Sequence, residues 1–201
     1  LTEFTANNNK IKDISSLSGC KKLETITVNN NEIETIGDLS KLESLVTFTA
    51  NANKIKDLNG LNGCAKLETV TANDNLLEGD LDLSKCAALV TLNVSIKVEE
   101  AKEDDKKDDE KTEGDSKDET KDETKDEETK EDEKEETVKA AGLSSLVIKG
   151  LKKLATVEAS GNSLTAVPDT TDCDALATLN LANNKITDVS GAANGKALAT
   201  L

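Results

Sequence analysis

A leucine returns every twenty-two residues along this 201-residue chain, and no other feature constrains the fold as strongly. The leucines that keep the period are Leu1, Leu23, Leu45, Leu67 and Leu89 and, after a long charged interruption, Leu154, Leu176 and Leu198. Self-similarity at a fixed period of this length is the sequence signature of a repeat architecture. We therefore number the positions within each unit from this leucine, which is position one.

Each unit combines two apolar patterns of different spacing. Positions one, four and six are apolar and positions three and five are polar, as in Leu23, Ile26 and Val28 against Thr25 and Thr27. This alternation predicts a short, half-buried strand. Positions eleven, fourteen, seventeen and twenty are apolar at a spacing of three, which favours an irregular or helical return. The free energy gained by burying about seven inward side chains does not offset the entropy cost of ordering a whole unit. The repeats must therefore stack into a solenoid.

Position nine is asparagine in six units. These residues are Asn9, Asn31, Asn53, Asn75, Asn162 and Asn184. At this point the chain leaves the strand and turns, so backbone N–H and C=O groups are buried outside any strand ladder. An asparagine amide supplies both donors and an acceptor, and we expect the column to satisfy those backbone groups.

The full pattern is L-x-x-L-x-[LA]-x-x-N-x-I-x-x-I-x-x-L-x-x-[CL], and it resembles the leucine-rich repeat in its short, twenty-two-residue class. That class occurs in a regulatory subunit of protein phosphatase 1, in an axonemal dynein light chain and in bacterial internalins. The resemblance implies an α/β solenoid, namely a right-handed leucine-rich repeat horseshoe. Such a horseshoe has a parallel concave β-sheet and an irregular or 3-10 convex side. It also implies a non-catalytic scaffold for protein–protein interaction.

Composition excludes several classes of function. The chain has no histidine and no arginine, so it cannot carry a Ser-His-Asp triad, a Cys-His pair, a histidine metal ligand or a bidentate arginine clamp. Its net charge of −15 disfavours nucleic acid as a partner. No run of apolar residues is long enough to predict insertion into a membrane. We expect no enzyme activity, no metal and no cofactor. Because both ends lack polar caps, we interpret the chain as a piece of a longer protein.

All four cysteines occupy position twenty, where other units have leucine. They are Cys20, Cys64, Cys86 and Cys173. This placement predicts small buried core residues. A disulfide between Cys64 and Cys86 in adjacent repeats is the less favoured alternative, and a zinc site is less favoured still because no C-x-x-C occurs. Reduced thiols favour an intracellular protein, cytoplasmic or nuclear, with an extracellular or cell-surface location as the alternative.

The polar strand positions predict a partner-binding surface on the concave sheet. They are Thr25, Thr27, Asn29, Thr47, Thr49, Asn51, Thr69, Thr71, Asn73, Thr91, Asn93, Thr156, Glu158, Thr178 and Asn180. Threonine also simply suits a strand. The functional interpretations are a polar protein-binding face and, as an alternative, an extracellular adhesin or ice-binding module with repeated T-x-T strands. A thermal-hysteresis measurement separates the last of these from the others.

A charged insert divides the chain into repeats 1–96, residues 97–139 and repeats 140–201. Residues 97–139 contain 22 acidic residues and 11 lysines, which predicts disorder. The insert splits one repeat. The second half of the split repeat should align with the preceding repeat, so that Leu146, Ile148 and Leu151 correspond to Leu81, Leu83 and Cys86. The two flanking parts are then expected to form the same solenoid.

The insert also contains five S/T-x-x-[DE] sequences. The candidate phosphorylation sites are Thr112, Ser116, Thr120, Thr124 and Thr129. They resemble sites for acidophilic kinases of the casein kinase 2 type, and phosphates would make the insert more anionic. A solvating spacer is the first interpretation of this segment. The alternative is an acidic loop that binds or chaperones basic proteins.

Overall fold

A computed structural model describes residues 1–97 and 140–194, which form nine short strands and three 3-10 helices. The strands are β1 (Glu3–Thr5), β2 (Thr25–Thr27), β3 (Thr47–Thr49), β4 (Thr69–Thr71), β5 (Glu78–Asp82), β6 (Thr91–Asn93), β7 (Gly142–Val147), β8 (Thr156–Glu158) and β9 (Thr178–Asn180). The 3-10 helices are Ser15–Gly19, Asn59–Leu61 and Ser190–Asn194. The predicted disorder of the insert and its five phosphorylation sites lie outside the described residues and stay predictions.

Seven of these strands form one parallel sheet in the order β1-β2-β3-β4-β6-β8-β9. Each pairing joins residues at the same position of successive repeats, as Ile26 lies opposite Phe48. The pairing of β6 with β8 joins repeats on the two sides of the insert, and Leu92 lies opposite Val157 there. The predicted stack of parallel strands is confirmed, with 3-10 helices in three of the returns.

The apolar positions of each repeat pack into one core along the stack. Leu23, Ile26 and Val28 of the second repeat are fully buried, whereas Thr25 and Thr27 between them are half-buried. Phe48 is the largest fully buried side chain. Because every repeat covers the apolar surface of the next, burial in this core is shared between neighbours rather than complete within one unit.

Asn53 shows how the position-nine asparagines act. Its Nδ2 donates to the carbonyl oxygens of Val28, Ala50 and Asn51 at 2.9, 3.2 and 3.2 Å. Its Oδ1 accepts the N–H of Ile33 at 3.0 Å, so one buried amide joins its own turn to the preceding repeat. The same set of bonds recurs at Asn31, Asn75, Asn162 and Asn184. The predicted role of this column is confirmed.

Strands β5 and β7 form a separate two-stranded parallel sheet, with β5 in the return of the fourth repeat and β7 in the return of the split fifth repeat. Leu81 lies opposite Leu146, which is the alignment predicted from the sequence. The register shifts beyond Gly79, so that β7 carries one additional residue, Ser144. The Leu143 N–H donates to the position-nine asparagine of the next repeat at 2.9 Å. The split repeat therefore resumes the regular bonding at Leu143.

The cysteines lie in the core, as predicted. Cys64, Cys86 and Cys173 are buried, Cys20 in the first repeat is half-buried, and all four are free thiols. The Cys64 Sγ donates to the carbonyl oxygen of Leu39 in the preceding repeat at 3.2 Å. Burial raises the pKa of the Cys64 thiol from 9.0 to about 12. The intracellular location inferred from reduced cysteines stays a prediction.

The returns also contain a recurring aspartate turn. In six of them an aspartate side chain accepts the backbone N–H of the residue two positions later. These aspartates are Asp13, Asp38, Asp57, Asp82, Asp169 and Asp188. In the Asp169 turn the Thr171 hydroxyl donates as well, and these two bonds, with Lys149 nearby, lower the pKa of Asp169 from 3.8 to about 2. The aspartates thus stabilise the turns that lead back to the sheet.

Candidate partner-binding face

Twelve of the fifteen polar residues predicted to contact a partner lie on strands of the seven-stranded sheet, on the side opposite its buried residues. The other three, Asn29, Asn51 and Asn73, lie two residues beyond the strand ends, and we call all fifteen the Thr/Asn face. They are Thr25, Thr27, Asn29, Thr47, Thr49, Asn51, Thr69, Thr71, Asn73, Thr91, Asn93, Thr156, Glu158, Thr178 and Asn180. Every one of them is half-buried.

Position three forms an unbroken row of six threonines. In order across the sheet they are Thr25, Thr47, Thr69, Thr91, Thr156 and Thr178, one on each strand except β1. Adjacent parallel strands lie about 4.8 Å apart, so neighbouring side chains of the row are in reach of one another. The step from Thr91 to Thr156 crosses the insert without a change of register.

Position five changes character along the sheet. Its threonines Thr27, Thr49 and Thr71 are followed by Asn93, Glu158 and Asn180. The Asn180 Nδ2 donates to Glu158 Oε2 at 2.7 Å. Glu158 is the only charged residue among the fifteen, although charged residues make up 32% of the chain. The face is therefore neutral over β2 to β4 and carries a single negative charge further along.

Position seven forms a second ladder of asparagines, which sequence reasoning missed. The Asn29 Oδ1 accepts the N–H of Asn51 at 2.8 Å, and the Asn51 Oδ1 accepts the N–H of Asn73 at 3.1 Å. In the first repeat Asn7 accepts the N–H of Asn29 in the same way at 2.7 Å. These residues therefore support the fold as well as line the face. The available signal was the recurrence of asparagine at position seven in four successive units.

None of the charged side chains that pair within the described residues belongs to the fifteen, although one of them, Asp74, accepts a hydrogen bond from Asn73 of the face at 3.0 Å. The ion pairs are Lys12–Glu32, Lys56–Glu78, Lys97–Asp74 and Lys149–Asp169, at 4.0, 3.9, 3.4 and 3.1 Å. In the same described ranges, no group of three or more cysteine, aspartate or glutamate side chains is arranged to hold a metal ion. What the face presents is hydroxyl, methyl and amide groups, together with the single carboxylate of Glu158.

Comparison with known proteins agrees with this geometry. Residues 1–41 match the family described as "Leucine Rich repeats (2 copies)", and the register-matched strands repeat the same unit through the described residues. Residues 1–41 are leucine-rich repeats, and residues 1–97 and 140–194 have the leucine-rich repeat fold. Domains of this family generally mediate protein–protein interaction, which extended solenoid surfaces suit.

Two solved structures share the leucine-rich repeat fold. Internalin C2 from Listeria monocytogenes is 17% identical, with a TM-score of 0.57 over all of this chain and 70% of the internalin chain. A plant peptide hormone receptor, RGFR1, solved in complex with RGF2, is 19% identical, with a TM-score of 0.52 over all of this chain and 31% of the receptor chain. At these identities the likeness shows the fold alone. No curated protein sequence matches the chain significantly.

Within residues 1–97 and 140–194, no helix has the length and apolar character needed to cross a membrane.

Proposed function

We propose that this chain is a non-catalytic scaffold that binds a protein partner through the Thr/Asn face. The observation that carries the proposal is the continuity of the face. Its residues occupy matching positions in the six repeats that contribute β2, β3, β4, β6, β8 and β9, including the pairing of β6 with β8 across the insert. Long, regular surfaces of this kind are the binding surfaces of solenoid proteins.

The chemistry of the face supports a protein partner. Threonine hydroxyls and asparagine amides both donate and accept hydrogen bonds, and the threonine methyl groups add apolar contact. Threonine is branched at Cβ and already restricted within a strand, so a partner that contacts it immobilises little additional side-chain freedom. The near absence of charge on the face favours a partner surface that is itself polar and mostly uncharged.

The plant receptor offers a precedent. RGFR1 shares the fold of this chain and was solved in complex with RGF2. Recognition of a peptide or protein is thus a use to which such a solenoid is put, and we extend it to this chain as part of the proposal.

A pair of lysines placed in the middle of the face tests the proposal. Thr49 and Thr71 lie opposite each other on β3 and β4, so T49K/T71K puts two like charges and two long side chains at the centre of the surface. The matched control is A65K/A87K, which introduces the same residues at exposed positions of adjacent repeats off the strands. We expect affinity capture from an extract to recover a partner with the wild type and the control, but not with T49K/T71K. Equal recovery by all three would contradict the proposal.

The acidic insert supports a second candidate function, the binding of basic proteins. Residues 97–139 hold 22 acidic residues against 11 lysines, which is most of the net charge of −15. Deletion of residues 98–139 separates the two functions, because it removes the acidic insert and leaves the face. The deletion begins after Lys97 so that the ion pair of Lys97 with Asp74 is kept. A partner of the face is retained by this deletion variant and a partner of the insert is lost. The ice-binding alternative predicts thermal hysteresis, which the protein-binding proposal does not.

A further inference from the structure

The position-five row places one carboxylate between two amides. Asn93, Glu158 and Asn180 lie on the consecutive strands β6, β8 and β9, directly opposite one another in register. On the other strands of the Thr/Asn face the same row is threonine. The row therefore has a neutral part and an end at which hydrogen-bonding capacity and negative charge are concentrated.

No lysine of the described residues forms an ion pair with Glu158. Its Oε2 accepts the hydrogen bond from Asn180 at 2.7 Å, which fixes the orientation of the carboxylate. Within the ranges 1–97 and 140–194, the lysines that form ion pairs do so with other acids, namely Glu32, Glu78, Asp74 and Asp169. Glu158 is half-buried among strand neighbours. A carboxylate partly withdrawn from water interacts more strongly with an incoming cation than a fully exposed one does.

We infer that Glu158 anchors the partner by forming an ion pair with the ammonium or guanidinium group of a single lysine or arginine side chain. The inference rests on the proposed function and specifies the partner: a polar segment with one basic residue over β8 and uncharged residues over the threonines of β2 to β4. Charge complementarity selects this occupant. A second basic residue would meet only uncharged hydroxyl, methyl and amide groups of the face at β2 to β4, and an acidic residue near β8 would be repelled.

A library of random linear peptides displayed on phage tests the inference with the whole chain as target. The variant E158Q preserves the shape of the side chain and an oxygen that accepts from Asn180, but removes the charge. The matched control is E3Q. Glu3 belongs to the position-three row on the edge strand β1, and its Oε1 likewise accepts one hydrogen bond, from the Thr5 hydroxyl at 3.0 Å.

We expect peptides selected on the wild type to share one lysine or arginine. For such a peptide, E158Q weakens binding by about tenfold or more and flattens its dependence on salt, whereas E3Q leaves both unchanged. Peptides that bind wild type and E158Q equally, yet lose binding to T49K/T71K, overturn this inference and leave the proposed function in place. A library that yields no binder, or only binders insensitive to T49K/T71K, contradicts the proposed function itself.

Discussion

Asparagine side chains connect successive repeats at two levels of each turn. At position nine the buried amide binds carbonyl oxygens of two repeats, as Asn75 does with Ala50 and Ala72. At position seven the half-buried amide accepts a backbone N–H of the following repeat. Between the two columns, position eight adopts a left-handed backbone, with φ of 54° at Asn30 and 53° at Ala52. The turn after each strand is thus specified by three adjacent residues.

Replacing a position-nine asparagine within the stack should be costly. In Asn53→Leu, the Ile33 N–H and the carbonyl oxygens that Asn53 serves lose their partner while still buried. We expect a loss of about 1–3 kcal/mol in the free energy of unfolding, measured by urea denaturation. Asn9→Leu is the control, because Asn9 is exposed and binds only carbonyl oxygens of its own turn. Equal effects of the two substitutions would contradict the proposed bridging role.

Ala52 is the one alanine in the left-handed column, which otherwise holds residues such as Asn8, Asn30 and Gly161. Alanine is strained at a φ of 53°, whereas glycine is not. We expect Ala52→Gly to raise the free energy of unfolding by about 0.5–1 kcal/mol. Ala65→Gly, at an exposed position outside this column, should instead be neutral or slightly destabilising. A stability decrease in Ala52→Gly would show that the strain is not relieved.

Some of these residue-level features could be predicted from the sequence and others could not. The position-nine column was predictable because a polar residue recurring beside apolar positions implies buried backbone to satisfy. The position-seven ladder was not, because Asn29 and Asn51 follow an exposed strand position and suggest surface residues. Their bonds depend on the left-handed residue that follows them, which only the backbone reveals. The pairing of Glu158 with Asn180 likewise depends on register between strands.

The return segments differ more from repeat to repeat than the strands do. The repeats that begin at Leu1, Leu45 and Leu176 return through a 3-10 helix, while the fourth and fifth use β5 and β7. A spacing of three between apolar residues fits each of these solutions, so the sequence predicted only an irregular or helical return. The register shift between Gly79 and Asp80 was also beyond prediction, because it depends on one additional residue, Ser144, in β7 relative to β5 of the fourth repeat.

Backbone of neighbouring returns meets closely at Gly60. A Cβ at this residue would overlap the carbonyl oxygen of Gly37 in the preceding repeat, and the Gly60 carbonyl accepts the Leu39 N–H at 2.9 Å. We expect Gly60→Ala to lower the free energy of unfolding by about 1–3 kcal/mol, measured by thermal and urea denaturation. Gly19→Ala is the control, since a Cβ there has no atom within 4 Å. Comparable destabilisation in both variants would refute this account of close packing.

The aspartate turns predict a defined loss of stability in acid. The pKa of Asp169 falls from 3.8 to about 2 in the folded chain, first because of the Thr171 hydroxyl and N–H and then because of Lys149. Since the folded-state pKa is the lower one, the contribution of the turn is complete above pH 3.8 and is lost as the pH falls towards 2. Asp169→Asn should therefore lower the melting temperature at neutral pH, with a difference from wild type that vanishes towards pH 2. A difference that does not change with pH would contradict this assignment.

For the molecule as a whole, the decisive feature is that one sheet includes repeats from both sides of the insert. The leucine period made this arrangement predictable. Leu154 resumes the pattern, and the separation of Leu89 and Leu154 exceeds one repeat by the length of the insert 97–139. The period could not show which strand would lie beside β6 or whether the face would keep its register. In the structure Asn93 lies opposite Glu158, and this pairing places Glu158 on the same face as the threonines of β2 to β4.

A through-hydrogen-bond NMR coupling tests this pairing most directly. The Val94 N–H donates to the Glu158 carbonyl at 2.8 Å across the insert, and the Ala72 N–H donates to the Asn93 carbonyl at 2.8 Å between repeats that precede it. The second pair is the internal control. The account predicts couplings of similar size from Val94 to the Glu158 carbonyl carbon and from Ala72 to that of Asn93. A coupling for Ala72 with none for Val94 would show that the sheet ends at β6, and would contradict the continuous face on which the proposed function depends.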